Sequence, residues 1–223
     1  MPNVSKFITA VEKDCKKHKV YFRLYPSRWV DDCNGFFDSD GHSLEHLPAW
    51  QQRKYRAALM VATYLDFDKW LGILVHEYGH VQQWKESFYN KKCIWLECDN
   101  EKDYEYFALL KQKNPNEDQL LSSCRAVQKL EYDCERRAIE IIKEYGLDNY
   151  INIDKYINAS LMYVMFYNWT MKNRVWFPII HKHCNLVGTK WCSLKKLLIL
   201  PRDVEKHFDK QYQNYKAMQK KII

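Results

Sequence analysis

The sequence predicts an α+β fold in which a small N-terminal sheet packs on a mainly helical core. Short apolar runs with turn dipeptides fill roughly the first 65 residues, long helical patterns fill the remainder, and 47% of the residues are hydrophobic. A chain of 223 residues can form one sizeable core, and six glycines with six prolines leave little room for long linkers. We therefore predict a single domain over residues 1–223.

The N-terminal elements alternate between a helix and short strands. Residues 3–17 carry apolar side chains at helical spacing, and residues 19–26 alternate apolar with polar side chains up to a proline, as a strand does. The segment 33–48 contains the turn dipeptides Asn-Gly and Asp-Gly, which predict a hairpin or paired short strands. Residues 57–65 are a compact apolar run that suits one more strand.

Helical patterns dominate the sequence after residue 65. Asp66 and Asp68 are candidate N-caps for the first of them. The predicted helices cover about 67–88, from 100 to a loop at 114–116, 117–145, 153–174 and a polar C-terminal stretch. Residues 188–201 are predicted to form an irregular or strand-like return.

The net charge and the cysteine content indicate which kinds of partner and which cellular compartment to expect. The net charge of +7 can attract nucleic acid, but the basic residues are scattered and no zinc-finger spacing or RNA-binding aromatic box accompanies them. Eight cysteines without C-x-x-C spacing, and no apolar leader, predict reduced thiols in the cytoplasm. The sequence has no run of about 18 apolar residues, so we expect no membrane association.

The segment LVHEYGHVQQW, residues 74–84, contains the pattern H-E-x-x-H. On a helix, His76 and His80 lie one turn apart and can offer two imidazoles to one zinc ion, while Glu77 can accept a proton from a zinc-bound water. The alternative is an ordinary helix that carries two surface or core histidines. A capped helix that follows a predicted edge strand favours the metallopeptidase interpretation.

Zinc needs a further protein ligand, and two classes of zinc peptidase are excluded. Metzincins have a glycine and a histidine where this chain has Gln83 and Glu86, and SprT-like proteases have a histidine where it has Trp84. A second helix with the sequence KLEYDCERRAIEII offers Glu131 and Glu135 instead. These two carboxylates lie one turn apart, so both can face the first helix.

This pair of segments resembles the gluzincin metallopeptidases, in which H-E-x-x-H is followed by a helix with the pattern E-x-x-x-D. The resemblance covers about residues 57–142 and implies a zincin-like core that binds one Zn²⁺ ion. It implies Glu131 as the third zinc ligand and Glu135 as a hydrogen-bond partner of a ligand histidine, expected to be His76. Glu135 is one methylene longer than the usual aspartate, so the reverse assignment stays open, as does a surface ion pair with a neighbouring arginine.

CNGFFD, LVHEYGHVQQWKES and LEYDCERRAIEII, in this order, are also similar to uncharacterised predicted metallopeptidases of bacteriophages and other viruses. That likeness implies a location in the host cytoplasm or the virion.

The expected function is hydrolysis of a protein or peptide substrate. Such enzymes often add a group that stabilises the tetrahedral oxyanion. Tyr167 is the first candidate for this role, and the others are Tyr163, Arg174, His181 and His183. The alternative function is a non-catalytic structural or protein-binding module that zinc stabilises.

Overall fold

The structure, a computed structural model, describes residues 1–98, 100–177 and 186–220, and the side chains of these residues other than 100, 101 and 103. It confirms the predicted α+β class. The chain divides into two compact units. The first unit comprises residues 1–96 and 134–153, and the second comprises residues 97–133 and 154–223.

A small sheet lies at the centre of the first unit. Within the described residues it has three strands, in the order β1 (Val20–Tyr25), β3 (Ala57–Ala62) and β2 (Gly35–Asp38). β1 is parallel to β3, and β2 is antiparallel to it on the other side. Every residue of β3 is at most 1% exposed, which fits a central strand covered on both faces.

The segment 33–48 differs from the predicted hairpin. Only Gly35–Asp38 forms a strand, and it pairs with β3 rather than within its own segment. Asp38 explains the difference, because its carboxylate accepts hydrogen bonds from three backbone N–H groups of the next turn at 2.7–3.0 Å. The chain then continues into a 3₁₀-helix at His42–Leu44 and the short helix α2 (Ala49–Gln52), neither of which was predicted.

Two helices of the first unit pack against the sheet and against each other. They are α1 (Pro2–His18) and α3 (Phe67–Glu86). Tyr78 of α3 donates a hydrogen bond to the Asp14 carboxylate of α1 at 2.8 Å, and Lys85 forms an ion pair with the same carboxylate. Burial alone would raise the pKa of Asp14, but these two donors outweigh it and lower the pKa below its usual value.

α6 (Glu117–Glu144) is one continuous helix that contributes to both units, with residues 134–144 in the first and 117–133 in the second. The other helices, in chain order, are α4 (Ile94–Cys98), α5 (Asn100–Leu110), α7 (Ile153–Asn173), α8 (Leu194–Leu197) and α9 (Arg202–Gln219). α8 lies in the segment predicted to be irregular or strand-like, and that prediction missed it.

The second unit has an aromatic core. Phe166 of α7 packs against Trp169, Phe177 and Phe208, with ring centroids 5.1–5.7 Å apart. The seven cysteines in the described part of the chain are free thiols, and Cys184 lies outside it. No helix among the described residues is long and apolar enough to cross a membrane.

Candidate metal centre

His76 and His80 lie on one face of α3, as their four-residue spacing requires. Their ring centroids are 4.8 Å apart and the rings are nearly perpendicular, at 86°. The side chain of His76 is 17% exposed, and His80 is 9% exposed. Two imidazoles are therefore close together and largely shielded from solvent, the setting in which a metal ion is held by nitrogen ligands.

Glu135 lies beside His76. Its Oε1 atom is 3.2 Å from His76 Nδ1, and the glutamate is 6% exposed. A carboxylate in contact with Nδ1 accepts a hydrogen bond from the N–H group there, and in the neutral ring this leaves the lone pair on Nε2 for a metal. The structure thus brings together the two residues that the resemblance paired. Arg137, two residues further along α6, forms an ion pair with Glu86 at 2.6 Å.

His80 also has a polar neighbour at Nδ1. Gln83 is fully buried on the same helix, and its Oε1 atom is 2.9 Å from His80 Nδ1. Sequence reasoning did not assign this residue a role. A polar side chain three residues after the second histidine was the available signal, because such a residue returns to the same helix face.

Cys134 is a further residue that sequence reasoning missed. Its sulfur lies with His76 and His80 in a group whose ligand atoms are all within 4.8 Å of one another. The thiol donates a hydrogen bond to the backbone oxygen of His76 at 3.1 Å and is 3.9 Å from His76 Nδ1. The sulfur therefore lies beside the α3 backbone, on the Nδ1 side of His76.

α3 and α6 cross closely at Gly79 and Cys134. A Cβ atom on Gly79 would lie 2.9 Å from Cys134 Sγ and 3.1 Å from Cys134 O. Glycine is required here because any side chain would push the helices apart. The glycine inside the H-E-x-x-H segment and the cysteine before Glu135 were the sequence signals of this crossing.

The electrostatic setting of His76 combines two opposed effects. Burial disfavours the charged ring, but Cys134 and Glu135 beside it outweigh burial and raise the pKa of His76 well above its usual value. Groups that attract a proton to the ring also make it a more basic metal ligand.

Glu77 is partly exposed. Burial raises the pKa of Cys33 to about 11, and the negative charge of Glu77 adds to the rise. A Cβ atom on Gly35 would lie 2.5 Å from Ile73 Cγ2, so β2 passes directly against α3 one turn before Glu77.

Glu131 lies one turn before Glu135 on α6 and is 9% exposed. It is counted with the second unit, whereas the two histidines and Glu135 belong to the first. Its assignment as the third zinc ligand stays a prediction.

The described candidates for oxyanion stabilisation, Tyr163, Tyr167 and Arg174, belong to the second unit. Tyr167 is 2% exposed, and its hydroxyl lies 3.0 Å from that of Tyr163. Arg174 forms an ion pair with Glu117. These are contacts of a packed core and of a surface pair, and the oxyanion role stays a prediction. His181 and His183 lie outside the described residues.

The donor set fits zinc, because each imidazole directs Nδ1 at an oxygen acceptor, and in the neutral ring this leaves the lone pair on Nε2 for a metal. Comparisons of the chain with models of protein families, with curated proteins and with solved structures find no match.

Proposed function

We propose that the protein is a zinc-dependent peptidase of the gluzincin type that its sequence resembles. The observation that carries this proposal is the contact between Glu135 and His76 Nδ1, at 3.2 Å, behind an H-E-x-x-H helix. An ordinary helix with two histidines does not need a buried carboxylate in that position. In this proposal His76, His80 and Glu131 hold the ion.

Zinc, when bound, supplies a Lewis acid that polarises a carbonyl group and makes water a nucleophile near pH 7. The residues of the chain supply the remaining chemistry. Glu77 follows the first ligand and is partly exposed, so it can accept a proton from the attacking water and deliver it to the leaving amine. Glu135 keeps His76 in the tautomer that binds metal.

A protein or peptide substrate could bind at the edge of the sheet beside α3. β2 is the antiparallel edge strand among the described residues, and it packs against α3 at Ile73. An extended peptide can add to such an edge through backbone hydrogen bonds. This would bring a peptide backbone alongside the helix that carries Glu77.

The experiment that tests the proposal replaces Glu77 with glutamine. We expect cleavage of a peptide library to fall by at least about 10²-fold, because the proton acceptor is lost, while metal analysis still finds one zinc ion per chain. Glu140→Gln is the matched control, since Glu140 is an exposed glutamate on α6. The proposal fails at its first step if wild-type protein from zinc-supplemented medium contains no zinc.

A second candidate is a non-catalytic module in which the metal has a structural role. The observation that favours it is the position of Cys134, whose sulfur is grouped with both imidazoles. A His-His-Cys set would form a closed structural site with one further protein ligand, because structural zinc sites have four.

Cobalt(II) substitution separates the two candidates. A sulfur-to-cobalt charge-transfer band that Cys134→Ala removes would favour the structural module. Absence of the band, together with weaker metal binding by Glu131→Gln, would favour the peptidase. Cys134→Ala keeps a small side chain opposite Gly79 and is the least disruptive replacement at the crossing.

A further inference from the structure

Gln83 is a buried amide whose oxygen faces a candidate metal ligand. It is 0% exposed, and its Oε1 atom lies 2.9 Å from His80 Nδ1. Burying an amide is unfavourable unless hydrogen bonds replace those it made to water. A leucine or methionine would fill the same volume without that requirement, so the amide has a role that an apolar side chain would not fulfil.

The amide oxygen can only accept a hydrogen bond. When it faces Nδ1, the imidazole must carry its proton there, and the lone pair then resides on Nε2. In the neutral ring of His76, the contact with Glu135 favours the same tautomer. The two histidines are thus held in matching tautomers by different groups, a carboxylate behind one and an amide behind the other.

The electrostatics of the site explain why the partner of His80 is a neutral amide rather than a carboxylate. The site already contains Glu135 at His76, with Glu77 next to that histidine in sequence. Another carboxylate would add negative charge to a largely buried cluster, where charge is costly to bury. An amide gives the orienting hydrogen bond without that charge.

We propose that Gln83 is a positioning residue that fixes His80 as the Nδ1-protonated tautomer and so presents Nε2 to the metal. Its consequence for metal binding rests on the proposed function, whereas the tautomer itself does not. Partners behind ligand histidines change metal affinity by about 10–100-fold when they are removed.

The test compares three full-length variants with the wild type. Gln83→Met fills the same space without an oxygen acceptor, and Gln83→Glu retains an oxygen acceptor at the same position. Gln82→Met is the matched control, because Gln82 is the adjacent glutamine and is only partly buried. The tautomer of His80 is read in metal-free protein from the nitrogen chemical shifts of its ring. The dissociation constant for zinc is read by competition with a chromophoric chelator.

We expect a Nδ1-protonated His80 in the wild type, in Gln82→Met and in Gln83→Glu, and a mixed or reversed tautomer in Gln83→Met. Zinc binding should weaken about 10–100-fold in Gln83→Met alone. A wild-type His80 protonated on Nε2, or a Gln83→Met protein with the wild-type tautomer, overturns the inference. If the tautomers follow the expectation but the wild type binds no zinc, the proposed function fails while the pairing of Gln83 with His80 stands. The wild-type spectrum decides the question even if Gln83→Met does not fold.

Discussion

Replacing Gly79 with alanine tests how closely α3 and α6 approach behind the two histidines. The added methyl group would lie 2.9 Å from Cys134 Sγ and 3.1 Å from Cys134 O, whereas ordinary contacts begin at 3.4 Å. The helices must therefore separate locally by about 0.3–0.5 Å. Overpacking of this kind costs about 1–3 kcal/mol, and the higher helix propensity of alanine returns about 1 kcal/mol. We expect a net loss of about 1 kcal/mol in the free energy of unfolding.

The same displacement reaches the candidate metal centre. Cys134 directly precedes Glu135, whose contact with His76 Nδ1 is 3.2 Å long. A shift of this size along that contact would lengthen it to about 3.5–3.7 Å, beyond an effective hydrogen bond. If the site binds zinc as proposed, affinity should fall about 10–100-fold. Urea unfolding followed by tryptophan fluorescence measures the first effect, and chelator competition measures the second.

Gly146→Ala is the matched control for a loss of stability without a change at the site. Gly146 has φ +61°, and a Cβ atom on it would lie 2.8 Å from Asn3 Nδ2. Alanine in the left-handed region costs about 1–2 kcal/mol, so stability should fall while zinc affinity stays unchanged. The reasoning is refuted if Gly79→Ala is more stable than wild type and binds zinc with wild-type affinity.

Two further predictions concern the contacts that hold α3 in place. Asp14 has a lowered pKa in the folded protein, so its stabilising contribution is present above the unfolded pKa of about 3.9 and is lost as the pH falls through the folded value. Asp14→Asn should therefore flatten the acid limb of stability below about pH 4 in urea unfolding, and an unchanged limb would contradict this. Arg137→Met removes the partly buried pair with Glu86 and should cost about 1 kcal/mol. The exposed neighbour Arg136→Met should cost less than about 0.5 kcal/mol, and equal losses would show that the pair contributes nothing.

The long periodic elements could be predicted because their signals are local. The helices predicted over 67–88 and 117–145 correspond to Phe67–Glu86 and Glu117–Glu144. Asp66 is the N-cap residue, as predicted, although its carboxylate pairs with Lys69 instead of capping the backbone. The prediction that failed was the pairing of the short strands. The partner of β2 is a distant strand, and nothing in the local pattern of residues 33–48 specifies which strand that is.

In the candidate metal centre, too, the local part could be predicted from the sequence and the long-range part could not. His76, Glu77 and His80 follow from a five-residue pattern, because helix geometry alone places the two imidazoles together. The proximity of Glu135 to His76 could be predicted only from the resemblance to a known family, because the two residues are far apart in sequence. The sequence did not predict that Cys134 and Gln83 lie beside the histidines. Each can be explained as an ordinary packed residue until its distance to a histidine is known.

The unit that carries both histidines is discontinuous along the chain, with residues 97–133 inserted between its two segments. A fragment that stops after Leu96 would retain His76 and His80 but lose Glu135, together with Cys134 at the helix crossing. Protein synthesis reaches the closing segment of this unit only after it has passed through the whole insertion. During translation the face of α3 at Gly79 is therefore made before residues 134–144 of α6, the helix segment that packs against it.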